Sequence, residues 1–538
     1  LLKRSEQRKT RRSKSVWGMF RPGVLADGLV YNKWAADAKG GFWLLLSQLR
    51  NTLLRCRTVN FQDVQVQSIA ADSRRVMPGS LFVALRGYTV DGHRFAPSAV
   101  SAGAVALLVE EPIEGVSVPQ LVVPDSRLAS AIAADVFYEH PSQRLRLIGV
   151  TGTNGKTTST YLIDKILSDA GHTTGLLGTI EKRIGQKTAE VVNTTPDAVD
   201  LQADLAEMVS AGCTYGIMEV SSHALELKRT AGTQYRIAVF TNLTQDHLDF
   251  HGTMEAYLAA KGKLFSRLGN TYGDTRETMA YAILNADDRA SAYLASQTVY
   301  ECITYGIDQP ADVSARDVFV RPDGVRFRVH SWAGDADVHL KLTGRFNVYN
   351  ALAAISVGLA EQLPLRGIVQ SLESVPGVPG RLEPVNAGQP FTVLVDYSHT
   401  PDSLQNALAT VKEFAAKRVL TVVGCGGDRD KGKRPLMART AVEQSDLTIL
   451  TSDNPRTEDP DQILDDMEAG LTDAGVQVRY QRITDRREAI QRAVLAAEPG
   501  DVILIAGKGH ETYQIIGRTK HHFDDREVAR EAIQQRNR

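Results

Sequence analysis

Short apolar runs alternate with stretches of helical period along most of the chain. In the block 47–141, LFVAL (Leu81 to Leu85) and VALLVE read as strands, SAVSAGA as a helix, and Gly87 to Gly92 as a turn. Pro141 and Ser142 punctuate its end. The block 142–379 carries LRLIGV (145–150), TTGLLG (173–178), YGIMEV (215–220), IAVFTN (237–242) and YAILNAD (281–287), then a strand-rich stretch near ADVHLKLTG. A Pro/Gly hinge, PGVPGRLEP (376–384), opens the block 380–538, where FTVLVDYS, RVLTVVGCGGD, LTILTSDNP and DVILIAGKGH each end in a polar or Gly-rich cluster. Strands alternating with helices predict βαβ units, mostly parallel sheets and an α/β protein of three domains. Ligands are expected beyond the carboxyl ends of those strands.

Length and composition fit this. A chain of 538 residues with 43% hydrophobic and 23% charged residues has room for three or four domains of ordinary globular usage. Its net charge of -1 gives no global basic field for nucleic acid, and no apolar stretch suits an integral membrane span. Cys56, Cys213, Cys302 and Cys425 are scattered without metal spacing, which predicts free thiols and a cytoplasmic location. Residues 1–46 begin with a basic run (Lys3, Arg4, Arg8, Lys9, Arg11, Arg12, Lys14) and are read as a disordered or non-native extension outside the fold.

The strongest chemical signal is LIGVTGTNGKTTSTYLIDKIL. An apolar strand enters Gly152-Thr153-Asn154-Gly155-Lys156-Thr157-Thr158, and a helix with Tyr161, Leu162, Ile166 and Leu167 follows. Such a loop turns N–H groups and a helix N-terminus toward phosphate oxygens, with Lys156 reaching the terminal phosphates and Thr157 offering a hydroxyl to Mg²⁺. Val150 stands where the usual P-loop has its first glycine, so a variant loop is predicted. Glu219 and His247, near the ends of neighbouring strands, are candidates for a metal-bearing cluster; Mg²⁺ favours the carboxylate. Periodicity alone makes Lys261, in AYLAAK, a surface lysine.

These motifs resemble the Mur ligases, ATP-dependent amide-forming enzymes of peptidoglycan precursor synthesis. The resemblance rests on GTNGKTT (152–158), NTTP (193–196), EVSSHAL (219–225), TNLTQDHLDFHG (241–252), AYLAAK (256–261), GRFNVYNA (344–351), PGRLE (379–383), DYSHTPDSL (396–404), GCGGDRDKGKRP (424–435), SDNPRTEDP (452–460) and AGKGHETYQ (506–514). It implies a UDP-sugar-binding domain (47–141), a central ATP-binding domain (142–379) and a C-terminal Rossmann-like domain (380–538) that binds an amino acid. It further implies ATP and two Mg²⁺ ions, with Thr157 and Glu219 serving one and His247 with a carbamylated Lys261 the other. Lys156, Glu219, His247 and Lys261 become the expected catalytic set. Asn347, Arg381 and Asp396 join the loop in holding ATP. Ser73, Tyr88, Thr89 and Val90 resemble contacts to the UDP sugar, and Asn193, Thr194, Thr195, Ser221 and Arg229 contacts to its dipeptide.

Within the family the match is to members that add meso-diaminopimelate to UDP-N-acetylmuramoyl-L-alanyl-D-glutamate (UDP-MurNAc-L-Ala-D-Glu). That amino acid is lysine with a further carboxylate, so its site needs a second anion receptor. Arg456, in Asp453-Asn454-Pro455-Arg456, can supply a bidentate fork, and Arg429 is a second candidate. Gly507 and Glu511 are expected at the ammonium end. A monomer is expected. Other ligases of the superfamily, a P-loop ATPase or kinase, and a non-catalytic relative are the competing readings; DNPRTEDP and GKGHETYQ weigh against the first, and the presence of Glu219, His247 and Lys261 against the last.

Overall fold

The computed structural model describes residues 42–87, 90–191, 193–321, 323–471 and 480–537. Three sheets, each between apolar layers, define three domains. In the first, strands Ser68–Ala70, Ser80–Val83, Ala104–Val109 and Gln120–Val122 are parallel, and Arg57–Val59 joins antiparallel at the edge. Side chains alternate across the sheet with the two-residue period of a strand. Leu81, Val83, Ala106 and Leu108 enter one core, while Phe82, Leu107 and Val109 enter the other. The first core corrects the boundary expected at residue 46. Leu44 and Leu46 are fully buried in it, Leu44 pairs with Val66, and the helix Leu46–Thr52 follows. Residues 42–46 therefore belong to the fold because their leucines have a core to enter; residues 1–41 lie outside the described residues.

The central sheet has eleven strands among the described residues. Arg146–Thr151 lies between Tyr215–Glu219 and Ile237–Phe240, all parallel. The chain first winds to one side of this strand, through Thr174–Leu177, and then to the other, through Tyr281–Asn285 and Cys302–Gly306. That reversal opens a crevice at the strand's carboxyl end. Ile148, Val150, Ile217 and Val239 face the helices Lys156–Asp169 and Arg345–Ala360. Leu147, Met218 and Phe240 face Ala198–Ser210 and Met254–Ser266. The helix Arg345–Ala360 is apolar around nearly its whole circumference, as a helix enclosed on all sides must be.

The third sheet runs Glu383–Pro384, Thr392–Asp396, Val502–Ala506, Val419–Cys425, Leu447–Ser452, Tyr480–Arg482, parallel except for its first pair. The hinge glycine Gly380 is packed against the last loop of this domain: at φ +66, a Cβ there would stand 2.1 Å from the His510 nitrogen. Behind the site, Arg486 and Asp525 form an ion pair at 2.7 Å with both side chains fully buried. Arg486 also donates to the Ala506 carbonyl at 3.0 Å, at the end of one strand, and lies 3.5 Å from the Ser452 carbonyl, at the end of another.

Breaking a buried pair on one side leaves the other charge without compensation. Asp525→Ala is therefore expected to lower stability by about 3–5 kcal/mol, read as a shift of the denaturant midpoint of the third domain. A change below 1 kcal/mol would show that Arg486 finds another partner.

Candidate active site

The loop after Arg146–Thr151 closes as the sequence requires. Gly152 has φ +150, and a Cβ on it would lie 1.9 Å from Thr241 Oγ1. The loop is stitched to the neighbouring strand end: Thr241 Oγ1 donates to the Asn154 carbonyl at 2.6 Å, and the Asn154 N–H to Asn242 Oδ1 at 2.9 Å. Thr153 accepts the Thr244 N–H at 3.0 Å. Gly155 precedes the helix, and Thr157 and Thr158 are buried in its first turn. Lys156 Nζ folds back onto the carbonyls of Gly152 and Thr153, at 2.9 and 2.8 Å. Burial holds its pKa below the ordinary lysine value.

Glu219 is no solvated strand end. It is buried, accepting the Thr179 N–H at 2.7 Å and the Thr179 and Thr157 hydroxyls at 3.1 Å each. Lys261 reverses the expectation from periodicity. It projects inward from Met254–Ser266 at 1% exposure. Its ammonium donates to the Gly152 carbonyl at 2.8 Å and lies 4.3 Å from the Tyr257 ring centre. Burial first, and then Lys156, push its pKa well down. His247 adopts a left-handed backbone (φ +56) and packs edge-on against His223, ring centres 4.7 Å apart. Burial drives its pKa to about 3 although Asp246 opposes this, so the ring is a neutral imidazole.

A cleft of about 540 Å³ joins this centre to the third domain. Asn154, Gly155, Thr158, Arg381 and Asp396 line it. Arg381 donates to Thr157 Oγ1 at 3.0 Å and lies over the Tyr397 ring. Asp396 accepts the Leu382 N–H at 2.8 Å and the Ser398 hydroxyl. Asn347 stands behind the cleft wall. It does not line the cleft; its amide is spent on the Thr343 carbonyl and on Asn350, which does. Asp402, which the motif reading did not single out, accepts from Asn154 at 2.6 Å and Thr244 at 3.0 Å across the domain boundary. Its signal was present, as an acidic residue in the first turn of a Pro-initiated helix.

Two further pockets flank the centre. Asn193 and Thr194 line one of about 280 Å³, with Arg75 of the first domain on its rim, paired to Asp200 at 2.8 Å. Thr195 is buried beneath it, donating to the Glu219 carbonyl at 2.8 Å and accepting the Ser221 N–H at 3.0 Å. Arg229 donates to the Thr195 carbonyl at 3.1 Å. Ser73 begins the turn Ser73–Arg75 and Val90 is exposed; neither lines this pocket. Tyr88 and Thr89 lie outside the described residues.

The other pocket, of about 170 Å³, brings His247 and Asp249 to Arg429, Asp453, Asn454, Arg456, Gly507 and Glu511. Pro455 does not line it. Arg456 Nη1 donates to the Gly427 carbonyl at 2.8 Å, and Arg429 to the Asp428 carbonyl at 3.0 Å; neither guanidinium has a carboxylate partner in the salt bridges between described residues. Lys508, absent from the expected set, is fully buried and donates to Glu511 at 2.9 Å and Asn454 Oδ1 at 3.2 Å. Asn454 thus both lines the pocket and organises it.

The chain matches three family models: the Mur ligase family catalytic domain over residues 65–138, the Mur ligase middle domain over 150–358, and the Mur ligase glutamate ligase domain over 380–509. It is 53% identical over 471 residues to a UDP-N-acetylmuramoyl-L-alanyl-D-glutamate--2,6-diaminopimelate ligase of Geobacillus thermodenitrificans, covering 88% of this chain and 95% of the relative. With the protein of the same name from Bacillus cereus it shares 50% over 487 residues, 90% of this chain and 98% of that one. A solved structure with that name superposes with a TM-score of 0.62 at 35% identity, covering 89% of this chain and 97% of the other.

A Cβ at residue 152 has no room, so Gly152→Ala must open the loop. It is expected to lower nucleotide affinity at least tenfold in a calorimetric titration with ADP, and unchanged affinity would contradict the loop geometry.

Proposed function

The chain belongs to the Mur ligase family, and we propose that it joins meso-diaminopimelate to the D-glutamate γ-carboxylate of UDP-N-acetylmuramoyl-L-alanyl-D-glutamate, with ATP cleaved to ADP and phosphate. One observation supports the amino acid above others. Arg429 and Arg456, which have no carboxylate partner among the described residues, share a small pocket with the carboxylates Asp453 and Glu511. A zwitterionic end group, carboxylate and ammonium together, matches that mixture of charges. Lysine, which lacks the distal carboxylate, would leave the arginines unsatisfied.

The reaction proposed is acyl-phosphate chemistry. The γ-carboxylate oxygen attacks the γ-phosphorus of ATP, the bond to ADP breaks, and a mixed anhydride forms. The α-amine of diaminopimelate then attacks the acyl carbon; phosphate leaves with the anhydride oxygen, and the amine gives up a proton. Lys156, now on the loop carbonyls, would turn with the first N–H groups of its helix toward the oxygens on which charge accumulates. No side chain acts as nucleophile. Positioning across three domains does most of the work.

The residues present fit Mg²⁺. The Thr157 hydroxyl and Glu219 carboxylate are hard oxygen donors in mutual contact, and His247 offers a neutral imidazole nitrogen. Lys261 as an ammonium would repel a cation. Its burial favours the neutral amine, which can add CO₂ and release a proton to become an anionic carbamate, and in that form it fits. Thr157 and Glu219 would then hold one ion and His247 with Lys261 a second, and the ions would supply charge screening for the phosphoryl oxygens. Among the described residues no helix is long and apolar enough to cross a membrane, and the free thiols favour a cytoplasmic setting.

Three outcomes test this. Lys156→Ala should abolish turnover, and a near-normal rate would refute the mechanism. Arg456→Ala should cost kcat/KM for diaminopimelate roughly tenfold to hundredfold, the worth of hydrogen bonds to a charged group, while a slow reaction with lysine is unaffected; equal losses would refute the fork. With isotope-labelled bicarbonate, a carbamate carbon signal is expected in the wild type and absent in Lys261→Ala.

A further inference from the structure

The pocket assigned to the amino acid is lined by a loop that contains a residue in a costly backbone conformation. Arg456 stands at φ +51, a left-handed conformation that costs a side-chain-bearing residue free energy unless its surroundings impose it. What imposes it is a hairpin that lies outside the main sheets. Strands Tyr513–Ile516 and Thr519–His522 pair with each other, Ile516 bridges to Arg456 in parallel, and Thr519–His522 is exposed throughout. Gly517, at φ +61, opens the two-residue turn between them.

This hairpin is bonded to the loop residue by residue. The Arg456 N–H donates to the Ile515 carbonyl at 3.0 Å, and the Gly517 N–H donates to the Arg456 carbonyl at 2.7 Å. The Ile515 N–H donates to Asn454 Oδ1 at 2.9 Å. Gln514 Nε2 donates to the Asp453 carbonyl at 2.6 Å. The last bond is the only one of the four made by a hairpin side chain. It fixes the peptide plane between Asp453, which lines the pocket, and Asn454, which is itself bonded to Glu511 and Lys508.

We propose that the 513–522 hairpin is a specificity device, with Gln514 as the positioning residue that sets Arg456 and the Asp453 backbone for the distal end of the amino acid. This rests on the assignment of Arg456 as the carboxylate receptor. Gln514 does not line the pocket, so it acts through the loop. The device would set the choice of amino acid and leave the P-loop untouched, because all four bonds fall on residues 453–456.

The test uses the full-length enzyme with Gln514→Met, which keeps the length of the side chain and loses its N–H donors, and Gln514→Ala beside it. Loss of one hydrogen bond of about 0.5–1.5 kcal/mol corresponds to a change of roughly twofold to thirteenfold. KM for diaminopimelate is expected to rise by that factor in both variants, with KM for ATP and the rate with lysine unchanged. In an Arg456→Ala background, Gln514→Met should add nothing. A KM for diaminopimelate that stays at the wild-type value, or equal rises for diaminopimelate and ATP, would overturn the inference. If Arg456→Ala itself fails to separate diaminopimelate from lysine, the fault lies with the receptor assignment. If Arg456→Ala separates them and Gln514→Met does not, the fault lies with the hairpin.

Discussion

Two ammonium groups share one carbonyl oxygen at the centre of this protein. Lys156 and Lys261 both donate to Gly152 O, at 2.9 and 2.8 Å, with Lys261 fully enclosed. Two like charges so close, away from water, disfavour one another. On the function proposed above, one amine loses its proton or becomes a carbamate, and the other meets phosphate. The fold holds this arrangement from three strand ends. Gly152 follows Arg146–Thr151, Glu219 ends its neighbour, and Thr241 to Asp246 extend the strand on the other side. Those strand ends form the walls of a hole that suits anions, and the reversal of strand order is why the hole exists.

The third domain closes this hole. Arg381 reaches Thr157, and Asp402 takes hydrogen bonds from Asn154 and Thr244. Burial raises the Asp402 pKa, and the hydrogen bonds from Thr244, Asn154 and Asn406 only partly counter it. The contact between the domains carries these polar bonds beside the packing of Phe346 on the third domain's core. Such a junction can be made and broken during a reaction cycle, as a chain that admits three substrates requires.

Much of this was legible in the sequence. The apolar runs at 145–150, 215–220, 237–242 and 281–287 fall on observed strands, since each is buried on both faces and needs no alternation. The phosphate loop was legible because its glycines and flanking elements are contiguous. Lys261 was not. Helical period placed it at the surface, while its burial depends on Tyr257 from the same helix and Gly152 from more than a hundred residues away. Asn347 is a different case: the structure shows it orienting its neighbour Asn350, which lines the cleft. Lys508 and Gln514 were illegible for a related reason: their partners, Asn454 and Asp453, lie on a loop that only the folded sheet brings beside them. The extension boundary missed because leucines 44 and 46 look like the end of a featureless tail until Val66 is placed opposite.

The hinge carries a mechanical consequence. Gly380 is wedged against the backbone of Gly509 and His510, and its carbonyl receives the Tyr397 N–H at 2.9 Å. The pivot and the loop that begins at Gly507 are thus a single rigid knuckle. A swing of the third domain would carry this part of the proposed amino-acid cradle with it, in step, so the incoming amine would ride toward the activated carbonyl as cargo on the moving lobe.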